Sequence, residues 1–168
     1  ALARALAPHL PPAPGAVVLR SDVERKTLLG KDERDQLPAN AYSPAVTARV
    51  YATIADKARR AVAAGHSAIV DAVFAKPQER VLAETSAAIL GVPFHGLFLD
   101  ADLDTRIARV GARSRDASDA DAAVARIQEN YDLGALAWPR VDASGTPEQM
   151  LSRARTALEQ GRNATTPR

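Results

Sequence analysis

Residues 16–25 read Ala16-Val17-Val18-Leu19-Arg20-Ser21-Asp22-Val23-Glu24-Arg25. A short apolar run entered from Gly15 and ended by charge reads as a buried strand over Ala16–Leu19. The charged residues that follow lead into a short helix, Val23–Leu29, closed by Gly30. The same succession recurs along the chain: Ser67–Val70 precedes Asp71, Phe94–Leu99 precedes Asp100, and a short strand near Trp138–Val141 precedes Asp142.

Helical patterns separate these strands. Ala1–Ala7 reads as the end of a helix, stopped before Pro8. After the charged, irregular loop Lys31–Tyr42, Ser43 is an expected N-cap, Pro44 takes the first helical position and Gly65 is the stop. Between them Val46, Val50, Ile54, Ala58 and Val62 form one apolar stripe. Gln78–Leu90 reads as a helix closed by Gly91, with Arg80 on its surface. Asp102 is expected to cap a helix carrying Leu103, Ile107 and Val110, and Asp119 one carrying Val124, Ile127 and Tyr131. Thr146-Pro147-Glu148-Gln149 has the pattern of a capping box opening a last helix with Leu151, Ala154 and Leu158 inward. The polar tail Gly161–Arg168 reads as disordered. Strands alternating with crossover-length helices predict an α/β fold, a three-layer α/β/α sandwich around a parallel sheet.

The bulk properties fit one domain of 168 residues, 46% hydrophobic and 25% charged, with a net charge of +2. The two signs are interspersed, which argues against a nucleic-acid arm or a polybasic membrane anchor. No apolar run reaches membrane-spanning length. The absence of cysteine removes disulfides, iron–sulfur clusters and thiolate zinc sites, and fits the cytosol. His9, His66 and His95 have no metal-ligand spacing. Neither Gly-x-Ser-x-Gly nor Gly-x-Gly-x-x-Gly occurs, which removes α/β-hydrolase and dinucleotide-binding readings.

In such sheets ligands bind at the carboxyl ends of the strands, where Asp22, Asp71, Asp100 and Asp142 fall. Asp100 reads as a cap of the segment that follows, and Asp142 reads equally as a cap or as an acid of the ligand edge. No helix pattern starts at Asp71, so an acid that positions magnesium is the sharper reading. Asp22, flanked by Arg20 and Arg25, would stay ionised and can accept a proton from a substrate hydroxyl, with Arg25 holding an anionic group; a surface ion pair is the bland alternative. Arg109 and Arg113, four apart in a polar connector, can deliver positive charge to a phosphate or simply be solvated.

Together Leu19-Arg20-Ser21-Asp22-Val23-Glu24-Arg25, Val70-Asp71-Ala72-Val73-Phe74, the Arg109/Arg113 pair and Val141-Asp142-Ala143-Ser144-Gly145-Thr146-Pro147 resemble the polynucleotide kinase and zeta-toxin branch of P-loop kinases. The likeness is greatest to the kinase-like domain fused behind an aminoglycoside-phosphotransferase-like domain in bacteria. The resemblance implies an ATP- and Mg2+-dependent phosphotransferase acting on a hydroxyl-bearing acceptor. It makes Asp22 the general base, Arg20 and Arg25 acceptor-binding, Asp71 the residue near magnesium and Arg113 the lid arginine. Arg109 and Ser144-Gly145-Thr146 would border the nucleotide. The family's Gly-x-x-x-x-Gly-Lys-[Ser/Thr] loop does not occur in these residues. The resemblance therefore places the first strand and that loop just upstream of Ala1, and a fragment without them would be inactive. A nucleotide-binding regulatory module, or a degenerate scaffold without turnover, is the alternative.

Overall fold

The computed structural model describes residues 2–111, 119 and 122–165. In chain order the elements are α1 (Leu2–Leu6), β1 (Val17–Arg20), α2 (Ser21–Leu28), α3 (Pro44–Ala63), β2 (Ala68–Asp71), α4 (Pro77–Ile89), β3 (Phe98–Asp100), α5 (Leu103–Gly111), α6 (Ala122–Glu129), β4 (Arg140–Asp142) and α7 (Pro147–Thr165). The fold is α/β with parallel strands, as the alternation predicts. β1 pairs with β2 in the register Val17↔Ala68 to Arg20↔Asp71, and β3 pairs with β4 from Phe98↔Arg140 to Asp100↔Asp142. The two pairs form separate two-stranded sheets.

Helix α3 is the centre of the first half. Its stripe is buried in the middle, where Val50 and Ile54 are 0% and 2% exposed, and half-buried at Val46, Ala58 and Val62. It packs on α2, β1, β2 and α4, while α1 lies against β2 and α7, and α7 against β4. Ser43 holds the expected N-cap position, but its hydroxyl makes no capping bond; its carbonyl accepts from Thr47 N instead. Pro44 has no N–H to satisfy, which lightens the demand for a cap. Elsewhere local chemistry acts as expected. Asp102 Oδ1 accepts from Thr105 N at 2.7 Å, and Thr146 and Gln149 close a reciprocal box in which Thr146 N donates to Gln149 Oε1.

Three sequence expectations are revised. β3 begins at Phe98 rather than Phe94, and the Trp138 indole packs so close to Gly96 that no side chain would fit there. α7 continues through Thr165, so the tail expected from Gly161 is helical over its first residues. Arg80 is buried, 4% exposed, rather than on the surface.

A line of rings connects the halves: Tyr51 to Phe74 at 5.4 Å, Phe74 to Trp138 at 5.2 Å and Phe94 to Trp138 at 5.6 Å between centroids. Trp138 Nε1 donates to Glu84 Oε1 at 2.6 Å, which joins α4 to the segment before β4. Few large apolar side chains are fully buried, so each should matter. Ile54→Ala is expected to lower unfolding stability by about 2–5 kcal/mol. The same truncation at the partly exposed Val62 should cost less, as urea titration of both variants would measure.

Candidate functional site

Parallel pairing brings the predicted acids to the carboxyl ends of the two separate strand pairs. β2, β3 and β4 end on Asp71, Asp100 and Asp142, and β1 ends on Arg20, whose Cα is in register with that of Asp71. Arg20 Nε lies 3.4 Å from Asp71 Oδ2, with the Asp71 side chain 40% exposed. α2 starts directly after β1, so Asp22 falls in its first turn at the same edge. Asp22 and Asp71 are thus neighbours in the sheet frame, 49 residues apart in sequence (71 − 22 = 49).

The buried face of α2 is charged: Ser21, Glu24, Arg25 and Lys26 are all below 9% exposed. Glu24 pairs with Lys57 of α3. Arg25 donates to Ala41 O at 2.8 Å and Thr47 Oγ1 at 3.2 Å and lies 4.8 Å from the Tyr42 ring centroid. Its Nε–H, also buried, has no hydrogen-bond partner among the described residues. Lys26 Nζ donates to Glu33 O at 3.0 Å and Asp119 Oδ1 at 2.9 Å.

Asp119 therefore does more than open a helix. Its other oxygen accepts from Leu37 N at 3.1 Å and Tyr42 OH at 2.7 Å. Burial works to raise the Asp119 carboxyl, but hydrogen bonds from Lys26, Tyr42 and Leu37, with the Lys26 charge, outweigh it and hold the pKa below the ordinary carboxylate value. The Tyr42 phenol is pushed well above its usual value by burial, by its bond to Asp119, and by the negative charges of Asp119 and Asp22.

The loop after β2 is pinned at Phe74, which has a φ of 49°, in the left-handed region a bulky residue seldom adopts. Both its polar groups are held: its N–H donates to Tyr51 OH at 2.9 Å, and its carbonyl accepts from Arg80 Nη1 at 2.7 Å. Arg80 also donates to the carbonyls of Ala75, Leu133 and Ala135. At the far edge, the carbonyls of Ala143 and Gly145 accept from Arg109. Ser144 N donates to Asp142 Oδ1 at 2.8 Å, and bonds from Ser144, with the nearby Arg153 and Arg109, lower the Asp142 pKa. Asp100 pairs with Arg140 at 2.9 Å. Neither Asp100 nor Asp142 has a bare helix-capping role. Arg113 lies outside the described residues.

Among the described residues no three His, Asp or Glu side chains converge as a metal cage. Asp71 stands as a single carboxylate. That donor set fits magnesium in nucleotide enzymes, which binds one or two carboxylates and completes its shell with water and phosphate oxygens.

Sequence reasoning did not single out Lys26, Tyr51 or Arg153, and it read Asp119 only as a cap and Arg80 as a surface residue. The only local signal was the charge run 24–26 on a short helix, where a buried core face would ordinarily be apolar.

The parallel α/β fold is consistent with a P-loop kinase-like domain. Residues 2–133 match the model of a family described as AAA domain, and the chain belongs to that family, whose members are P-loop kinase-like. It is 31% identical over 150 residues to "Uncharacterized protein Rv2004c" of Mycobacterium tuberculosis and, equally, to "Uncharacterized protein Mb2027c" of Mycobacterium bovis. Each match covers 83% of this chain and 29% of the relative, so the chain spans under a third of those curated relatives. No solved structure matches it.

The depressed Asp119 pKa has a pH signature. Its stabilising contribution is complete above the unfolded carboxylate value, about 3.9, and is lost as pH falls through the lower folded value. Asp119→Asn should therefore be less stable than the unsubstituted protein at neutral pH. The gap in urea midpoint should narrow as the pH is taken below about 4. A gap that does not change with pH would mean that the ion pair with Lys26 contributes nothing.

Proposed function

We propose that the intact protein is an ATP-dependent phosphotransferase that transfers phosphate to a hydroxyl-bearing small molecule or nucleotide. The observation that carries the reading is the placement of Asp22 and Asp71 at the carboxyl edge of one parallel strand pair, in a chain of the P-loop kinase-like family. Asp22 would accept the proton of the acceptor hydroxyl as the new phosphate ester bond forms. Asp71 would help hold Mg2+ near the phosphates, and the ion would supply charge neutralisation there. Arg20 stands beside Asp71 and keeps positive charge at the edge. Arg25 donates through Nη1 to Ala41 and Thr47 and would meet an anionic acceptor group with its remaining guanidinium N–H groups. Arg113 would reach the transferred phosphate, and Arg109 and the Ser144-Gly145-Thr146 loop would border the nucleotide. The loop Lys31–Tyr42, tied to Asp119 through Leu37 and Tyr42, would shape the acceptor pocket.

The same proposal assigns residues 1–160 to the kinase-like domain, in a cytoplasmic protein that is longer than this chain. β2 and β3 are not bonded to each other, their side chains are half-buried or exposed, and Leu99 is 44% exposed. One further parallel strand between them, carrying a Gly-x-x-x-x-Gly-Lys-[Ser/Thr] loop, would join the pairs into one sheet and supply the phosphate-binding amides. Sequencing the parent gene ahead of the codon for Ala1 tests this directly; an unrelated segment there would remove the support. Among the described residues no helix is long and apolar enough to cross a membrane.

A second reading, a nucleotide-binding regulatory module without turnover, is favoured by one feature: Arg25 and Arg109 both direct guanidinium donors at the chain's own carbonyls. Asp22→Asn in the full-length protein separates the two. With MgATP and a panel of sugars, aminoglycosides and nucleosides as acceptors, the substitution should lower kcat about 10²–10⁴-fold while ATP affinity changes little. Saturable nucleotide binding with no phosphate transfer to any acceptor would favour the regulatory module. Full activity in Asp22→Asn would remove Asp22 from the mechanism.

A further inference from the structure

A concave site lies at the ends of β3 and β4 opposite to their acids. Residues 94–97 lead into β3 and residues 137–139 into β4, and Phe98 N donates to Pro139 O at 3.0 Å, which joins the two lead-ins. With Glu84 of α4 and the 157–161 stretch of α7 they enclose a cleft of about 240 Å³. None of its described lining residues comes from β1 or β2, so it is not the gap between β2 and β3. The cleft is built around rings. Phe94, 37% exposed, and the half-buried Trp138 stand 5.6 Å apart with their planes tilted by 50°. Trp138 is fixed by an N–H bond to Glu84 Oε1 at 2.6 Å, by the Phe74 ring at 5.2 Å and by the backbone of Gly96. A Cβ at Gly161 would stand 3.1 Å from His95 Nδ1. Glycine weakens a helix interior, and at Gly161 the imidazole takes the space a side chain would fill.

Glu84 gives the cleft its sign. No Lys or Arg is among the described lining residues, and the polar partner of the half-buried Glu84 carboxylate is a neutral indole N–H. A carboxylate drawn partly out of water favours a counter-charge, and aromatic rings attract cations to their faces. The cleft is also smaller than the roughly 300–1,000 Å³ of ordinary small-molecule pockets, which sets the size of what it can hold. We propose that it binds a compact organic cation, an alkylguanidinium or alkylammonium, with the charge against Glu84 and the carbon stem along Phe94 and Trp138. This site is separate from the acids at the carboxyl ends of the strands and does not rest on the phosphotransferase reading.

The test uses the full-length protein and calorimetric titration with two probes, N-butylguanidinium and N-butylurea, which has the same planar shape and no charge. N-butylguanidinium should bind about tenfold more tightly than N-butylurea. Glu84→Gln keeps an oxygen for the Trp138 N–H and removes the charge. It should weaken N-butylguanidinium binding about tenfold and leave N-butylurea binding within about twofold. Phe94→Leu keeps apolar bulk and removes a ring. It should weaken the cation about threefold, which keeps the test open if Glu84→Gln folds poorly by circular dichroism. Equal affinities for the two probes would make the cleft a packing groove with no preference for charge and overturn the proposal. Cation binding unchanged in a folded Glu84→Gln protein, or no binding of either probe, would overturn it as well.

Discussion

Burial of charge on one short helix organises the first half of this protein. A charged group removed from water is tolerated only with a partner, and α2 turns Glu24, Arg25 and Lys26 inward together. Each demand draws in a different part of the chain. Glu24 fixes α2 to α3 through Lys57, and Arg25 draws residues 41–47 over the helix. Lys26 brings Asp119 from 93 residues away, and with it Leu37 and Tyr42. The helix that carries Asp22 is thereby bound to the loop beside it by polar bonds with defined directions, where apolar contacts would have left more freedom.

The same solution recurs wherever the apolar core is thin. Aromatic residues make up 4% of the chain, and many of the buried apolar positions are alanines: Ala3, Ala7, Ala41, Ala125, Ala143 and Ala154. Alanine buries little area, so hydrophobic packing alone gives each contact a small share of stability. Guanidinium groups take over part of the task. Arg80 gathers carbonyls on both sides of the aromatic line, and Arg109 and Arg153 fix the loop after β4. A fork of N–H donors suits this use, because one side chain can satisfy several carbonyls of differing orientation without a counter-charge.

These contacts fall on two separate strand pairs: Asp71 and Arg20, with Asp22 just beyond, belong to β1–β2, and the arginine-held loop follows β4 of the β3–β4 pair. Phe74, held in a strained backbone conformation between Tyr51 and Arg80, joins the two through its contact with Trp138. Strain of this kind persists only where surrounding structure over-determines it, and here both polar groups of the residue are fixed by side chains.

What the sequence determined by itself was local or periodic. The strand ends at Asp71, Asp100 and Asp142 were legible because a charge cannot continue a buried apolar run. The α3 stripe was legible from its four-residue spacing, and the Asp102 cap and Thr146 box from bonds that span three residues. Parallel order followed from crossover lengths. Only the tertiary structure decided which arginines face solvent. Arg25 and Arg80 sit in helices, and their partners are 22 and 55 residues away at the furthest. Asp119 looked like a helix cap because capping is what an aspartate before a helical pattern ordinarily does. Its role was set by Lys26, a buried ammonium that required a carboxylate and found one only when the chain was folded.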